Sequence, residues 1–298
     1  MRAFVTGATG FLGRRLTDEL RARGDEVVEL DRRTTPLSDR NALRKAMKGC
    51  DAVFHLAAVY KVGVPRRERA AMWETNVRGT ENVIDAAWDV HVPRIVYVST
   101  VNVFGNTRGR VVDETSERVD PSFVSAYDWT KYEAHRAALD RIERGAPVVI
   151  AMPGAIYGPG DRSELGVQLD QARAGKLRFK ALADVGVNAV HIDDVVAGLL
   201  LVHARGRIGE SYVLGGELTR LSELIDLVAP KRVRLTVPTP LVRLAIPAGP
   251  LVGRVMGTGP NLRELISASA GVTYWASDEK ARRELGYHSR GLAAGLAA

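Results

Sequence analysis

The sequence predicts an α/β fold: a doubly wound parallel sheet with a smaller C-terminal lobe. Three observations carry that prediction. Short β-branched runs alternate with amphipathic helical patterns through the first half. A glycine-rich turn joins the first such run to the first helix. Beyond about residue 160 the alternation loosens, and prolines gather at 238, 240, 247, 250 and 260. Near-continuous apolar strands between amphipathic helices are the pattern of a parallel sheet covered on both faces.

Taken in order, residues 2–6 (RAFVT) read as a strand, 12–23 as a helix and 26–30 (EVVEL) as a strand. Residues 41–48 read as a helix, and 52–56 (AVFHL) as a strand. Then come a helix at 72–88, a strand at 94–99 (RIVYVS), a helix at 127–144 and a strand at 148–152 (VVIAM). Only ten residues separate Leu30 from Asn41. That is too few for a further helix and strand, so a shortened crossover covered by 39–48 is expected. In the second half, 162–174, 191–204 and 221–228 read as helices, with a short strand at Leu218/Thr219. Proline-broken segments cannot form one long helix, so the Leu241–Met256 stretch is expected as lobe loops.

Composition excludes several classes. With 298 residues, 46% hydrophobic and 26% charged, the chain is neither disordered nor fibrous. Its one cysteine, Cys50, rules out an internal disulfide framework and an all-cysteine metal site. It starts Met1-Arg2 directly into a strand and has no run of about 18 apolar residues, so a cytoplasmic protein without membrane spans is expected. The net charge is +7, but the excess is arginine-rich (only eight lysines) and spread along the chain. A dispersed excess reads as a solvated surface rather than a nucleic-acid or membrane footprint, though it also draws an anionic cofactor.

The chemistry begins at Thr6-Gly7-Ala8-Thr9-Gly10-Phe11-Leu12-Gly13, after the first strand and at the start of the first helix. Gly7 permits the tight turn, Gly10 lets backbone approach a pyrophosphate, and Gly13 lets helix pack on strand. The helix start then offers the amides of Phe11 and Leu12 and a positive dipole end to phosphate. Asp31 ends the second strand, where a carboxylate accepts hydrogen bonds from the adenosine ribose and repels a 2′-phosphate. Arg32 and Arg33 follow at once, and guanidinium suits a 2′-phosphate. NAD is therefore expected, with NADP left possible.

Tyr127 and Lys131 stand four residues apart and so share one helix face. An unperturbed phenol is a poor base at neutral pH. An adjacent ammonium, together with the charge of an oxidised nicotinamide, is expected to lower its pKa and let Tyr127 exchange a proton with a carbonyl or alcohol oxygen. Thr100, at the carboxyl end of the 94–99 strand, is placed to hydrogen-bond that oxygen. Ser99 is the fallback hydroxyl, on the opposite face of the strand. His55 reads as a hydrogen-bonded core residue.

In these residues the chain resembles the extended short-chain dehydrogenase/reductases, also called the NAD-dependent epimerase/dehydratase family. The matching elements are TGATGFLG (6–13), Asp31, DAVFHLAA (51–58), NVRGTENVIDAA (76–87), VSTVNVFG (98–105), YDWTK (127–131), PGAIYGPGD (153–161) and VHIDDV (190–195). They span about two thirds of the chain in the family's order. The resemblance implies a Rossmann dinucleotide-binding domain over 1–160 with 183–204 returning to it, and a lobe made mostly of 161–298. It implies Thr100, Tyr127 and Lys131 as the catalytic set, with Lys131 also holding the nicotinamide ribose. It implies Asn76 as a buttress, Leu56, Ala57 and Ala58 as the strand end along the cofactor, and Pro153 and Gly154 beside the nicotinamide. It makes His191, Asp193 and Asp194 structural joints rather than metal ligands. A homodimer through the 72–88 and 127–144 helices is implied as well.

The chain departs from the family pattern at some positions. Pro36 stands where an aspartate often sits beside adenine, leaving Leu37 to pack on the ring, and Met152 replaces an arginine. The sugar-nucleotide dehydratases carry Asp-Glu after the catalytic threonine; here Val101 and Asn102 line that substrate position and do no acid–base work. Val187–His191 offers no cation to a diphosphate. The resemblance therefore runs closest to the dihydroflavonol-reductase and 3β-hydroxysteroid-dehydrogenase branch. The expected activity is hydride exchange between NAD(P)H and a ketone or secondary alcohol. A nucleotide-sugar epimerase or reductase is the alternative, and a non-catalytic NAD(P)-binding sensor or scaffold the third.

Overall fold

The computed structural model describes residues 1–31, 33–118, 122–244 and 262–297. Arg32, the prolines at 247, 250 and 260, and most of the Leu241–Met256 stretch lie outside the described residues.

Six strands form the central parallel sheet: β1 (Arg2–Thr6), β2 (Glu26–Glu29), β3 (Ala52–His55), β4 (Ile95–Val98), β5 (Val148–Pro153) and β8 (Ser211–Leu214). Their order is β2-β1-β3-β4-β5-β8. All adjacent pairs are parallel, in registers such as Phe4↔Val53, Val53↔Ile95 and Ile95↔Val148. Between the two appear β6 (Ala155–Tyr157) and β7 (Gly186–His191), which join β9 (Glu217–Arg220) in a second sheet, β6-β7-β9.

Helices cover both faces of the large sheet because its strands are apolar on both. One face packs α2 (Arg40–Met47), α4 (Gly79–Asp89) and α5 (Ala126–Glu143) around Phe4, Val53, Ile95 and Ile150. The other packs α1 (Phe11–Ala22) and α7 (Ile192–Arg205) around Val5, Phe54, Val96 and Ala151. The short crossover after β2 is made by α2, whose N-terminus is capped by Asp39 accepting from the Ala42 amide at 2.9 Å.

Several elements differ from the sequence expectation, which marks no strand at β6, β7 or β8. The 72–88 helix begins earlier, as α3 (Arg66–Trp73), and passes through a π-turn (Glu74–Arg78) before α4. β8 is as long as β2, β3 and β4, but it lies beyond the regular strand–helix alternation and joins the sheet by pairing with β5. Of the segment 183–204, expected to return to the dinucleotide-binding domain, α7 packs on the large sheet while β7 lies in the second sheet; Ser211–Leu214 adds the sixth strand. Among the described residues, no helix is long and apolar enough to cross a membrane.

Candidate active site

The carboxyl ends of β1, β3, β4 and β5 open into a cleft of about 1360 Å³, where the strand order reverses between β1 and β3. Open α/β sheets bind ligands at such switch points.

The glycine turn forms one wall. Gly7 has a left-handed φ of 74°, and its Cα abuts the β3 end so closely that a side chain there would meet the Ala57 amide. A Cβ at Gly13 would lie 2.0 Å from the Gly7 carbonyl oxygen, so only glycine lets α1 start this close to β1. Gly10 is the N-cap of α1 and provides no side-chain cap; the first turn holds no acidic residue. The leading amides of α1 thus have no intrahelical acceptor, and Gly10, Phe11 and Leu12 line the cleft. This cradle fits a dinucleotide pyrophosphate. Arg14, Arg15, Lys61 and Arg162 add positive charge along the lining.

Further residues named from the sequence also meet here. Leu56, Ala58, Thr100, Val101, Asn102, Tyr127, Lys131, Pro153 and Gly154 line the same cleft. Others support it from behind. Asn76 is buried and spends its side chain on protein: its amide nitrogen donates to the Val59 carbonyl (3.1 Å) and the Thr130 hydroxyl (3.0 Å), and its oxygen accepts from the Val59 amide (2.7 Å). It is a brace rather than a cofactor contact. Ala57 is buried, with its amide on the Thr6 hydroxyl at 3.1 Å. Asp31 is exposed after β2 and accepts from the Arg33 amide at 2.9 Å. Leu37 packs against Gly79 of α4.

Ser99 and Thr100 both border the cleft but differ in their partners. Ser99 turns away and pairs with His135 Nδ1 at 2.9 Å, whereas Thr100 caps the 3-10 turn Val101–Phe104 facing Tyr127. Lys131 is buried; its Nζ donates to the Val98 carbonyl (3.0 Å) and the Tyr97 hydroxyl (3.4 Å). Burial pushes its ammonium down to about 8. Tyr127 departs from expectation: its phenol is held well above its ordinary pKa. Burial penalises the phenolate first, Tyr60, Tyr97 and Asp128 add to it, and a hydrogen bond with Thr100 pulls the other way. In the cofactor-free chain desolvation thus outweighs the Thr100 hydrogen bond and favours the neutral phenol.

His55 is buried between Thr6 and Thr80. The Thr6 oxygen already accepts from the Leu56 and Ala57 amides, so its hydrogen goes to His55 Nδ1 at 2.7 Å. His55 Nε2 then donates to Thr80 at 2.9 Å, and Thr80 donates to the Asn76 carbonyl at 2.7 Å. His191 caps α7 by accepting from the Asp193 amide, while Asp193 pairs with Arg15 and Asp194 with Arg290.

The substrate half of the cleft was largely missed. Tyr60 stands edge-on to the Tyr127 ring at 4.8 Å, with Leu165, Leu182, Val185, Leu221 and Tyr274 beyond it. These residues are far apart in sequence, and no motif ties them together. Arg162 directly follows PGAIYGPGD and Lys61 lies in the loop after β3, where nothing local marked them as cleft cations.

Comparison with known proteins agrees with this geometry. The NAD dependent epimerase/dehydratase family matches residues 3–215. A 4-hydroxy-2-methyl-3-oxo-4-farnesyl-3,4-dihydroquinoline-1-oxide ketoreductase of Stigmatella aurantiaca is 32% identical, over 97% of this chain and 92% of its own. A putative dihydroflavonol 4-reductase of Synechocystis is 31% identical, over 76% and 74%. Among solved structures, gox2253 superposes with a TM-score of 0.80 at 29% identity, covering 99% of this chain and 95% of its own. MoeE5 in complex with UDP-glucose and NAD superposes with a TM-score of 0.74 at 26% identity, covering 100% and 96%. The chain belongs to the NAD-dependent epimerase/dehydratase family. It is an NAD-dependent enzyme of the extended short-chain dehydrogenase/reductase kind.

Proposed function

We propose that the protein is a ketoreductase acting on a bulky, largely apolar ketone or the matching secondary alcohol. The observation that carries this reading is the meeting of Thr100, Tyr127 and Lys131 with an apolar wall of Leu165, Leu182, Val185, Leu221 and Tyr274 in one cleft. Gly10, Phe11 and Leu12 would hold the pyrophosphate, Asp31 the adenosine ribose, Lys131 the nicotinamide ribose, and Pro153 and Gly154 the nicotinamide side. Bound NAD(H) supplies or accepts the hydride. Thr100 donates a hydrogen bond to the substrate oxygen and orients it. Tyr127, kept protonated by burial, gives its proton to that oxygen during reduction and takes it back during oxidation. Val101 and Asn102 border the reacting carbon and contribute shape.

A ketoreductase of Stigmatella aurantiaca and a 2-alkyl-3-oxoalkanoate reductase of Stenotrophomonas maltophilia, 28% identical, support the reading. A second reading has its own observation: Arg162 and Lys61 line the cleft and could grip the diphosphate of a nucleotide sugar. A panel of apolar ketones, secondary alcohols and nucleotide sugars, followed by nicotinamide absorbance and product identification, decides between them. Net cofactor oxidation with an apolar ketone is expected. Turnover of a nucleotide sugar with the cofactor regenerated would overturn the proposal.

A further inference from the structure

Beside the catalytic set lies an ion pair that hydride transfer does not use. Arg118, in the loop before α5, and Asp128, next to Tyr127 on α5, are both buried, with side chains 6% and 5% exposed. Their contact is two-pronged: Nη1 to Oδ1 at 3.1 Å and Nη2 to Oδ2 at 2.7 Å. The same guanidinium donates to the carbonyls of Val103 (3.1 Å) and Asn102 (3.4 Å), both in the turn that Thr100 caps, and to the Ser122 carbonyl (2.9 Å). It lies 4.4 Å over the Phe123 ring. Gly105 closes the turn with φ 70°, and a Cβ there would press on the guanidinium at 3.2 Å. Asp128 in turn accepts from the Val124 amide at 3.2 Å.

One side chain therefore bolts the turn bearing Thr100 to the first turn of the helix bearing Tyr127. A planar guanidinium fixes direction as well as distance, which a lysine cannot do. The carboxylate adjoins the phenol, and it is matched by a cation rather than left alone. We infer that Arg118 and Asp128 form a positioning unit that sets the Thr100–Tyr127 geometry and keeps the charge beside the Tyr127 phenol balanced.

The inference rests on the reading of Tyr127 as the proton donor. Other titratable and charged groups around the phenol are Tyr60 from the loop after β3, Tyr97 from β4, Tyr274 from the C-terminal segment and Lys131 on the same helix; Asp161 and Glu164 line the cleft on the lobe side. None of these changes in the variants below, so each variant alters one charge next to Tyr127.

Removing the carboxylate takes a negative charge from beside the phenol and favours phenolate. Removing the cation takes a positive charge away and disfavours it. The test is titration of tyrosinate absorbance in the full-length protein, with Tyr127→Phe as the blank that isolates this residue. Asp128→Asn is expected to lower the Tyr127 midpoint by roughly one pH unit or more, and Arg118→Gln to raise it. The double variant is expected to bring the midpoint back toward wild type. Should Arg118→Gln not fold, Arg118→Lys keeps the charge without the fork and is expected to lower turnover with the midpoint unmoved. Midpoints that shift in the same direction, or not at all, while melting temperature falls would reduce the pair to a structural brace and overturn the inference. Full activity of Tyr127→Phe, by contrast, would overturn the ketoreductase mechanism and leave the titration result to stand by itself.

Discussion

The two halves of the cleft are built in different ways. The cofactor half is mostly backbone: a glycine turn, a helix start and strand ends, drawn largely from residues 6–13 and 56–58 of the first three strands and their loops. The substrate half is mostly side chain, gathered from residues 60–62, 161–168, 182–187, 221 and 268–274. Backbone geometry tolerates few substitutions, so the first half leaves a readable mark on the sequence. An apolar wall accepts many residues of similar size, so the second half leaves almost none. The reaction class is therefore fixed locally, while the substrate is chosen by segments that only the fold brings together.

The sharpest way to break this comparison is at the boundary of the halves. Tyr127→Phe removes the proton donor and keeps the ring that packs on Tyr60. Turnover is expected to fall by at least ~100-fold, the usual scale for losing a general acid or base, with little change in NADH affinity measured by fluorescence. Equal loss of cofactor binding would mean that Tyr127 serves the cofactor half instead. A smaller effect is expected on the substrate side. Tyr60→Ala removes a largely exposed aromatic wall of the cleft. Losing contact with one large side chain is worth about 1.5–3 kcal/mol, so KM for a bulky apolar ketone should rise by roughly 10-fold or more. NADH affinity should not move. A weaker cofactor complex with unchanged KM would show that the loop after β3 belongs to the cofactor half.

Much of the architecture was readable from the sequence because its causes are local. β-branched runs and helical periods gave the strands and helices of the large sheet, and Gly7, Gly10 and Gly13 marked the turn that no other residue would allow. Tyr127 and Lys131 share a helix face by spacing alone. What escaped depends on distance. Ser211–Leu214 is as long as β2, β3 and β4 but lies beyond the regular strand–helix alternation, and it joins the sheet by pairing with β5. Arg118 and Asp128 each look like an ordinary surface charge until the fold buries both. The Tyr127 phenol teaches the same lesson: spacing reveals a neighbouring ammonium, but not the desolvation that raises the phenol in the cofactor-free chain. Asn76 is expected as a buttress, but only the fold shows what it braces, Val59 and Thr130.

The last expected effect concerns stability rather than turnover and probes how rigid the cofactor half is. The chain from Thr6 through His55 and Thr80 to Asn76 works only with a neutral imidazole, since Nδ1 must accept from Thr6. Burial and the nearby Lys131 push the His55 pKa down to about 3, from an ordinary value near 6.5. A histidine whose folded pKa is depressed favours the unfolded chain once protonation begins. Its contribution is therefore complete above about pH 6.5 and drains away as pH falls toward 3, at up to about 1.4 kcal/mol per pH unit for a single site. His135, pushed down to about 4, acts in the same direction. Melting temperature is thus expected to drop steadily from pH 6.5 to pH 4, and NADH binding to fail with it. His55→Asn should lower stability at pH 7, because it breaks the chain of hydrogen bonds, yet make the acid slope shallower. If His55→Asn kept the full acid slope, protonation elsewhere would control acid unfolding, and the cofactor half would owe its rigidity to the glycine turn alone.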